Sequence, residues 1–481
     1  MKLRNLMITG LCTGLLFIGC FVSQAASAAQ AEKPNFIIIF MDDQGYQDLG
    51  CFGSPNIKTP NIDRMAAEGM RFTDFYAASS VCTPSRAALL TGCYPKRVGG
   101  LGVLFPRDRR GLNPQETTIA EMLKKIGYRT ACIGKWHLGH LKEFLPTNQG
   151  FDSYYGIPYS NDMTIADDMK LAKDIVLREG VTMQNIWDKK RNLVPLMRNE
   201  EVMEYPADQS LLTKRYTQEA RKFIKANVSQ PFFLYMAHTM PHVPLYASPD
   251  FEGRSEAGLY GDCIEEIDWS VGEILKTLKQ QGIDKNTFIV YTSDNGPWNF
   301  KANQSAKVKG NKNRRVGGSA LPLRGFKFQQ WEGGMREPTV MWWPGRIPPA
   351  SECSEIAGTI DILPTFAALS SAVLPPVKID GRSIVALIEG RKDAKSPHEA
   401  YFYRTEAVRC GSWKLKGNQL YNLKDDLSES TDVASAHPEV TARLKKILSE
   451  HQAELNKNKR PFGGTLIKRS PRKNKKKKNK K

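Results

Sequence analysis

The sequence predicts an α/β fold: a mostly parallel sheet flanked by helices, with a smaller C-terminal domain. Two observations predict it. Four short apolar runs have the length and composition of strands that are buried on both faces. Helical patterns separate these runs along the chain, which is the order that produces a parallel or mostly parallel sheet. With 481 residues, the chain is long enough for one large and one small domain.

The predicted strands are 36–41 (FIIIFM), 130–134 (TACIG), 231–237 (PFFLYMA) and 287–292 (TFIVYT). Two amphipathic patterns predict helices over 117–127 and 259–282. Each pattern ends at a glycine shortly before the next strand, as helices commonly do. These alternating elements form the large domain, which we expect to span residues 34–395.

The chain changes character after about residue 395. AYFYRT, AVRCGSWKLKG and QLYNLK indicate short strands of a small antiparallel sheet, and VTARLKKILSEHQAEL indicates a terminal helix. We assign residues 396–455 to this smaller subdomain. Residues 456–481 are predicted to be a disordered basic tail.

The first 28 residues have the features of a signal peptide. Lys2 and Arg4 precede an apolar run, and residues 26–28 form an A-x-A cleavage site. We therefore expect an exported protein, periplasmic or secreted, with no transmembrane helix after cleavage. Lipidation at Cys20 is a less favoured alternative, which would make the protein a lipoprotein.

The formal net charge of +19 is concentrated in the tail, because residues 457–481 hold thirteen lysines and arginines and no acid. The rest of the mature chain is close to balanced. Export argues against a specific nucleic-acid partner. An inert solvated extension and a contact with anionic polymers, such as a polysaccharide or the cell envelope, both remain open.

Cys82 stands out among the cysteines. Seven remain after the leader, so at least one is unpaired within the chain: Cys51, Cys82, Cys93, Cys132, Cys263, Cys353 and Cys410. In VCTPSRAALLTG, Thr83 is predicted to cap a helix and Pro84 to occupy its first position. Cys82 would then lie just outside the helix N-terminus, near Arg86. A structural thiol and a nucleophile are both compatible with this placement.

Polar residues follow each predicted strand. The first and fourth runs are followed by oxygen-bearing residues, Asp42-Asp43 and Asp294-Asn295. The second and third are followed by basic residues, namely Lys135 with His137 and His238 with His242. The carboxyl ends of parallel strands share one edge of a sheet, where ligands bind. We therefore expect these side chains to meet.

The oxygen-rich part of this set suits a hard cation such as calcium or magnesium. Two adjacent carboxylates, Asp42 and Asp43, repel each other unless a cation lies between them. The basic part adds proton donors and positive charge, with Arg86 and Lys327 as further members. A metal surrounded by cations favours an anionic substrate such as a sulfate or phosphate ester.

CTPSRAALLTG, from Cys82 to Gly92, matches the type I sulfatase motif C-x-P-S-R-x-x-x-x-T-G at every fixed position. GKWHLG (134–139) resembles the second sulfatase motif. Other blocks resemble the family in its own order: DDQGYQDLGCFG, PHVP, SDNG and EGGMREP. The chain thus resembles the formylglycine-dependent sulfatases over residues 34–450, and most of all the arylsulfatase A and N-acetylgalactosamine-6-sulfatase branch.

The resemblance implies an alkaline-phosphatase-like fold for residues 34–395 and a role for Cys82. In the family, a separate formylglycine-generating enzyme oxidises this cysteine to Cα-formylglycine before folding. The aldehyde is hydrated to a geminal diol, one hydroxyl of which attacks sulfur. The sulfated diol then collapses and expels sulfate, so that no water has to attack sulfur.

The resemblance also implies roles for the other residues. The calcium ligands would be Asp42, Asp43, Cys82, Asp294 and Asn295. The residues that hold the diol would be Arg86, Lys135 and His137. His242 and Lys327 would contact the sulfate and protonate the leaving oxygen, and Ser160 would contact the sulfate or the diol. His238 competes with His242 for its role, and the P-H-x-P setting favours His242.

The sequence-based hypothesis is therefore an exported, calcium-dependent sulfuric ester hydrolase. It would cleave aryl sulfates in vitro and sulfate esters on a saccharide in vivo. One alternative is a phosphodiesterase or phosphonate monoester hydrolase of the same superfamily. The other is a non-catalytic protein that binds sulfated glycans, which would follow if Cys82 were unmodified.

Overall fold

The protein is described by a computed structural model, which covers residues 33–188, 190, 192–298 and 317–465. The predicted leader, with Cys20, lies outside the described residues. The described residues from Lys33 onward form one compact unit. The predicted boundary near residue 395 therefore stays a prediction.

The strands, in chain order, are β1 (Asn35–Met41), β2 (Met70–Phe72), β3 (Phe75–Tyr76), β4 (Arg109–Gly111), β5 (Arg129–Gly134), β6 (Ser153–Gly156), β7 (Lys170–Leu177), β8 (Leu196–Arg198), β9 (Glu201–Tyr205), β10 (Phe232–Ala237), β11 (Thr287–Ser293), β12 (Thr339–Trp342), β13 (Ser351–Cys353), β14 (Ala357–Gly358), β15 (Tyr401–Tyr403), β16 (Ala407–Cys410), β17 (Trp413–Lys416), β18 (Gln419–Asn422) and β19 (Gly463–Thr465). The α-helices are α1 (Pro60–Ala67), α2 (Cys82–Thr91), α3 (Ile119–Lys124), α4 (Leu212–Ala226), α5 (Gly258–Gln281), α6 (Glu332–Met335), α7 (Ile362–Ser370), α8 (Val385–Ile388) and α9 (Pro438–Asn458).

The main sheet has eleven strands in the order β13-β2-β12-β11-β1-β10-β5-β6-β8-β9-β7. Its central strands β11, β1, β10, β5 and β6 are parallel, while β12 and β8 join antiparallel on either side. The four predicted strands are thus the adjacent strands β11, β1, β10 and β5. The prediction of a mostly parallel sheet is confirmed.

The register of these strands aligns their carboxyl ends. Phe40 pairs with Ala237 on one side and Thr292 on the other, and Ala237 pairs with Gly134. The residues that follow β1, β5, β10 and β11 therefore leave the sheet at the same edge, as the sequence predicted.

The core lies on both faces of the sheet. Successive residues of β1 point to opposite faces, so Phe36, Ile38 and Phe40 join one buried cluster while Ile37 and Ile39 join the other. Helices α2, α3 and α7 cover the first face, and α4 and α5 cover the second. This double burial explains why β1 is an uninterrupted apolar run.

The predicted helices form with adjusted ends. The pattern over 117–127 gives the shorter α3, because Thr118 caps it through a capping box with Glu121. The pattern over 259–282 gives α5, which ends at Gly282 in the left-handed conformation. Among the described residues, no helix is both long and apolar enough to span a membrane.

The C-terminal part contains the predicted antiparallel sheet, in the order β15-β16-β17-β18. Helix α9 packs on this sheet through Leu444, which meets Val408, Leu415 and Leu420 in a small buried cluster. The predicted smaller sheet and terminal helix are thus both present.

The predicted tail starts later than residue 456. Helix α9 continues to Asn458, and β19 then pairs antiparallel with β4, which lies far away in the sequence. The expectation of disorder was wrong for 456–465, because backbone pairing with a distant strand stabilises a segment that offers few apolar side chains. Residues 466–481 lie outside the described residues.

Candidate active site

Cys82 is the first residue of α2 and is 2% exposed. The prediction that Thr83 caps this helix was wrong. Val81 occupies the cap position in an extended conformation, and the Thr83 hydroxyl instead accepts a hydrogen bond from the Leu104 amide at 3.2 Å. The helix therefore starts two residues earlier than predicted, which places Cys82 in its first turn and not outside it.

The predicted acidic residues meet at the carboxyl ends of β1 and β11. Asp42, Asp43, Asp294 and Asn295 are all fully buried. The Asn295 amide donates to Asp43 Oδ1 at 2.7 Å, and the Asp43 backbone N–H donates to Asp294 Oδ1 at 3.3 Å. Ligand atoms of Asp42, Asp43 and His242 lie within 4.8 Å of one another, which is a spacing that can hold a metal ion.

The pKa values of the three clustered carboxyl groups shift in different directions. Burial and then the Asp42 carboxylate raise the pKa of Asp294 well above its ordinary value. Burial also raises the pKa of Asp43. For Asp42, burial is outweighed by nearby positive charge, chiefly that of Lys135, which holds its pKa well below the usual range. A divalent cation would relieve this repulsion.

Two buried oxygen atoms of the cluster, Asp42 Oδ1 and Asn295 Oδ1, have no hydrogen-bond partner. Unpaired buried acceptors are costly, at about 1–3 kcal/mol each, unless another group satisfies them. Together with the carboxylate repulsion, they fit a hard divalent cation with oxygen ligands.

Three buried cations surround the acids. Arg86 Nη2 lies 2.7 Å from Asp294 Oδ2 and 3.5 Å from Asp42 Oδ1. The Lys135 ammonium pairs with Asp42 and also donates to Ser160 Oγ at 2.9 Å. Lys327 Nζ lies 2.7 Å from Asp43 Oδ1. Burial opposes the charge on Lys327, but Asp43 and then Cys82 raise its pKa above the ordinary value, so this lysine stays protonated.

Lys135 reaches the site because β5 ends in a tight turn. Gly134 adopts φ +111°, and a Cβ at this position would lie 1.8 Å from the Ala237 carbonyl oxygen. Only glycine fits such an approach of two backbones. The Lys135 N–H then donates to the same carbonyl at 2.8 Å, which fixes where the lysine side chain starts.

His242 lies in the cluster and His238 does not. His242 Nε2 is 3.2 Å from Ser160 Oγ and 3.6 Å from Asp43 Oδ2. His238 is near Ser270 of α5, at 3.5 Å, and burial lowers its pKa to about 3. The structure thus places the histidine that the P-H-x-P setting favoured beside the acids.

His137 is held in an unusual conformation. Its φ is +59°, and that of Asp43 is +69°, in the region that non-glycine residues rarely adopt. Such positions cost about 1–3 kcal/mol and concentrate at functional sites. The Leu104 carbonyl accepts a hydrogen bond from His137 Nε2 at 2.9 Å, which leaves the buried Nδ1 atom without a partner.

The structure adds residues that the sequence analysis did not single out. The Asn161 side-chain oxygen lies 3.0 Å from His242 Nδ1 and orients that ring. Trp298 makes an edge-to-face contact with the His242 ring, with ring centroids 5.6 Å apart. The centroid of the Trp298 ring lies 4.9 Å from Lys327 Nζ. Asn161 follows Ser160 directly, and Trp298 lies two residues after the SDNG block, so adjacency to these residues was the available signal.

Glu337 is a further buried acid near the cluster, and neither of its carboxylate oxygens has a partner. Burial, and then the charges of Asp294 and Asp43, raise its pKa well above the ordinary value. Burial and these neighbouring charges thus disfavour a further negative charge beside the cluster. Its position inside the EGGMREP block gave no sign of this environment.

A comparison with protein families matches residues 34–372 to the family described as Sulfatase. The chain belongs to the sulfatase family. Residues 327–454 also match the C-terminal region of N-sulphoglucosamine sulphohydrolase. This second match covers the small sheet β15–β18 and most of α9.

Named sulfatases resemble this chain over most of its length. Human arylsulfatase A is 39% identical over 468 residues, which cover 88% of this chain and 88% of that protein. Human steryl-sulfatase is 37% identical, and the match covers 85% of this chain and 77% of that protein. Dog N-acetylgalactosamine-6-sulfatase is 37% identical, and the match covers 81% of this chain and 72% of that protein. The protein is therefore a sulfatase enzyme, as predicted.

Solved structures support the same fold. The structure of the PsFucS1 sulfatase from Pseudoalteromonas sp. has a TM-score of 0.75 and 27% identity, and covers 90% of this sulfatase and 93% of that chain. Ps i-CgsB in complex with k-i-k-neocarrahexaose has a TM-score of 0.72 and 30% identity, with 90% and 96% coverage. The phosphonate monoester hydrolase of Agrobacterium radiobacter shares the fold at 18% identity and a TM-score of 0.60.

Proposed function

We propose that this sulfatase hydrolyses sulfate esters of a carbohydrate, using a formylglycine formed from Cys82 and a bound calcium ion. One observation carries the proposal: Cys82 opens α2 while buried carboxylates and buried cations converge at the same sheet edge. Three buried cations, Arg86, Lys135 and Lys327, lie among three buried carboxylates. With a divalent cation bound as well, the net positive charge would suit an anionic substrate.

The residues that would hold calcium are Asp42, Asp43, Asp294 and Asn295, together with modified Cys82. All of them offer oxygen once Cys82 is converted, which is the donor type that calcium prefers. The ion would supply positive charge next to the reacting group. Its presence would also satisfy the two unpaired oxygens of Asp42 and Asn295.

The formylglycine would supply, as its hydrate, the nucleophilic hydroxyl that attacks sulfur. A formylglycine-generating enzyme would be the partner in this maturation. The Arg86 guanidinium, the Lys135 ammonium and the unpartnered Nδ1 of His137 would hydrogen-bond to the hydrated side chain. Their burial keeps bulk water away from that position.

Lys327 and His242 would bind the sulfate and protonate the leaving oxygen. Asp43 keeps Lys327 protonated, so the ammonium would hold the anionic sulfate and give up its proton only to a strongly basic leaving oxygen. Burial and then the Lys327 charge hold the pKa of His242 well below its ordinary value. An anionic substrate counteracts both effects, which would make His242 a proton donor only when the site is filled.

A carbohydrate as the carrier of the ester rests on two points. Ps i-CgsB, a structural neighbour at 30% identity, is described in complex with a neocarrahexaose. In this chain, Trp298 and the exposed Phe328 lie with ring centroids 5.7 Å apart beside Lys327. Exposed aromatic rings next to a polar centre are suited to contact the apolar face of a sugar.

The same proposal includes export, to the periplasm or the exterior, after removal of residues 1–28. The basic tail is proposed to contact anionic polymers, such as sulfated glycans or the envelope surface. Its lysines and arginines would bind them by release of counterions. Of this tail, residues 466–481 lie outside the described residues.

The deciding experiment has two measurements. Mass spectrometry of the peptide that carries Cys82 should show loss of the thiol and gain of an aldehyde. The same preparation should cleave 4-nitrophenyl sulfate faster than the phosphate ester or a phosphonate monoester. An unmodified Cys82 with glycan binding and no turnover would instead identify a binding protein, and faster phosphate or phosphonate cleavage would identify the other hydrolase class.

A further inference from the structure

Residues 459–465 run back from α9 onto the large domain, and we call them the C-terminal strap. They lie beyond both matched family regions, which end at residues 372 and 454. In the strap, β19 pairs antiparallel with β4, with Gly463 opposite Gly111, Gly464 opposite Arg110 and Thr465 opposite Arg109. The strap thus adds a strand to a segment far away in sequence.

Arg460 anchors the strap. Its backbone N–H donates to the Arg97 carbonyl at 2.6 Å. Its guanidinium forms a two-fold pair with the buried Glu116, with both N···O distances at 2.7 Å, and donates to the Lys378 carbonyl at 2.9 Å. The same group lies 3.3 Å from the Cys93 sulfur, which it covers. A paired guanidinium of this kind fixes orientation as well as position.

The segment that the strap holds, residues 97–112, reaches the candidate active site. Its Leu104 donates through the backbone N–H to Thr83 Oγ1 and accepts from His137 Nε2 through the carbonyl. Thr83 is the neighbour of Cys82 in α2. Further along, the Leu112 N–H donates to the Leu138 carbonyl at 2.9 Å. One backbone unit therefore touches both the nucleophile-bearing helix and a proposed diol-binding histidine.

Apart from β4, this segment has no regular structure in the described residues. Buried side chains, among them Leu101, Leu104 and Leu112, pack the segment into the main core. The strap adds backbone hydrogen bonds at β4 and at Arg97, which fix the two ends of the segment. Displacing the strap would remove these end contacts and let the Leu104 backbone shift, and with it the hydrogen bond that orients the His137 ring. Because Leu104 holds the Nε2 proton, it also determines which nitrogen of His137 is left to accept.

We infer that residues 459–465 are a positioning element of the catalytic centre, which acts through Leu104 on His137 and on the start of α2. This inference rests on the proposed function of Cys82 and His137. It concerns residues that do not touch the substrate and lie outside the matched family regions.

Gly464→Ala tests the inference with a matched control. Gly464 has φ +81°, and a Cβ there would lie 2.0 Å from the Arg109 carbonyl oxygen, so alanine pushes β19 off β4. Gly417 has φ +61° with no atom within 4 Å of a Cβ, so Gly417→Ala carries the same backbone cost without a clash. We expect kcat for 4-nitrophenyl sulfate to fall roughly tenfold to a hundredfold only in Gly464→Ala, with KM within about twofold.

Truncation and local labelling separate positioning from general stability. The chain ending at residue 465 should keep the wild-type kcat, whereas the chain ending at residue 458 should lose it while circular dichroism stays unchanged. In the shorter chain, mass spectrometry should show Cys93 alkylated by a thiol reagent. Arg460→Lys should restore part of the kcat that Arg460→Ala removes, because it keeps one charged donor for Glu116.

The outcomes are distinguishable. If the wild-type enzyme cleaves no sulfate ester, the proposed function fails. If the wild type is active and the chain ending at residue 458 folds with full kcat, only the strap inference fails. If that chain and Gly464→Ala both lose their fold, the strap is a stability element and the positioning role is overturned.

Discussion

Lys327 Nζ lies 2.7 Å from Asp43 Oδ1, although 284 positions separate the two residues in the chain. Both side chains are buried. The pair joins the carboxylate cluster after β1 to a loop that precedes α6, and it keeps a protonated amine next to the proposed metal site. Asp43 thereby serves both sides of the site, as a proposed calcium ligand and as the partner of the proposed proton donor.

Removing the proton donors should affect substrates with basic leaving groups most. We expect Lys327→Ala and His242→Ala to lower kcat by roughly 10²–10⁴-fold on a sulfated sugar and less on 4-nitrophenyl sulfate, whose leaving oxygen needs little protonation. Steady-state kinetics on both substrates would measure this. His238→Gln is the control, since His238 lies away from the cluster. Equal losses on both substrates would contradict an acid role and favour simple sulfate binding.

Cys82→Ala should abolish turnover and leave the fold intact. The residue is small and lies at the start of α2, so alanine keeps the helix and removes the proposed nucleophile. Cys82→Ser should also lose multiple turnover, because a single hydroxyl forms a sulfate ester that it cannot easily release. Thermal unfolding and initial rates should be measured together. Normal turnover in the alanine variant would refute the role of Cys82.

Loss of one acid should weaken calcium binding and activity in parallel. We expect Asp43→Ala and Asp294→Ala to raise the calcium Kd and to lower kcat, since each removes an oxygen ligand and misplaces the nucleophile. Calcium titration by calorimetry, with activity measured before and after a chelator, would test this. Asp250→Asn, at an exposed acid, is the control. Activity that survives both chelator and substitution would exclude a metal site.

The buried His238 should make the protein less stable in acid. Burial lowers its pKa to about 3, while the unfolded value is 6.5. The unfolded state then binds more protons, so stability is lost as the pH falls from about 6.5 towards 3. At pH 4.5 this costs on the order of 3 kcal/mol of unfolding free energy relative to neutral pH. Denaturant unfolding at neutral pH and at pH 4.5 should show that the unfolding free energy of His238→Gln falls less steeply with pH than that of the wild type. An equal fall in both proteins would contradict the assignment.

The tail should matter for polymers and not for small substrates. Removing residues 466–481 should leave kinetics on 4-nitrophenyl sulfate unchanged, because the candidate site lies entirely in the remaining chain. Retention on a sulfated polysaccharide column at low salt should fall, since counterion release drives such binding. Unchanged retention after truncation would leave an inert extension as the explanation.

The central sheet was predictable because strands such as β1 are buried on both faces and carry a continuous apolar signal. The convergence of Asp42 with Asp294 followed from the same pattern, since parallel strands share one edge. The roles of these residues stay predictions that rest on resemblance to the family. The structure adds that the residues following β1 and β11 lie in contact at one edge of the sheet.

Other features depended on contacts that no local pattern encodes. Threonine is a residue type that often caps helices, but the Thr83 hydroxyl accepts a hydrogen bond from the Leu104 N–H instead. Only the folded chain brings these two residues together. The strand β19 contains two glycines and has weak strand propensity on its own. It forms because β4 offers unpaired backbone groups at the right place, which is a non-local effect.

If Cys82 is converted as proposed, the burial of α2 sets an order of events during biosynthesis. Every residue of this helix is buried, including Cys82. Under the proposed maturation, the modifying enzyme can reach its target only while the chain is still unfolded. Folding and conversion therefore compete in time, and a molecule that folds first is permanently inactive. Chains refolded from denaturant without the converting enzyme would form a correctly folded population that no later treatment of the native state activates.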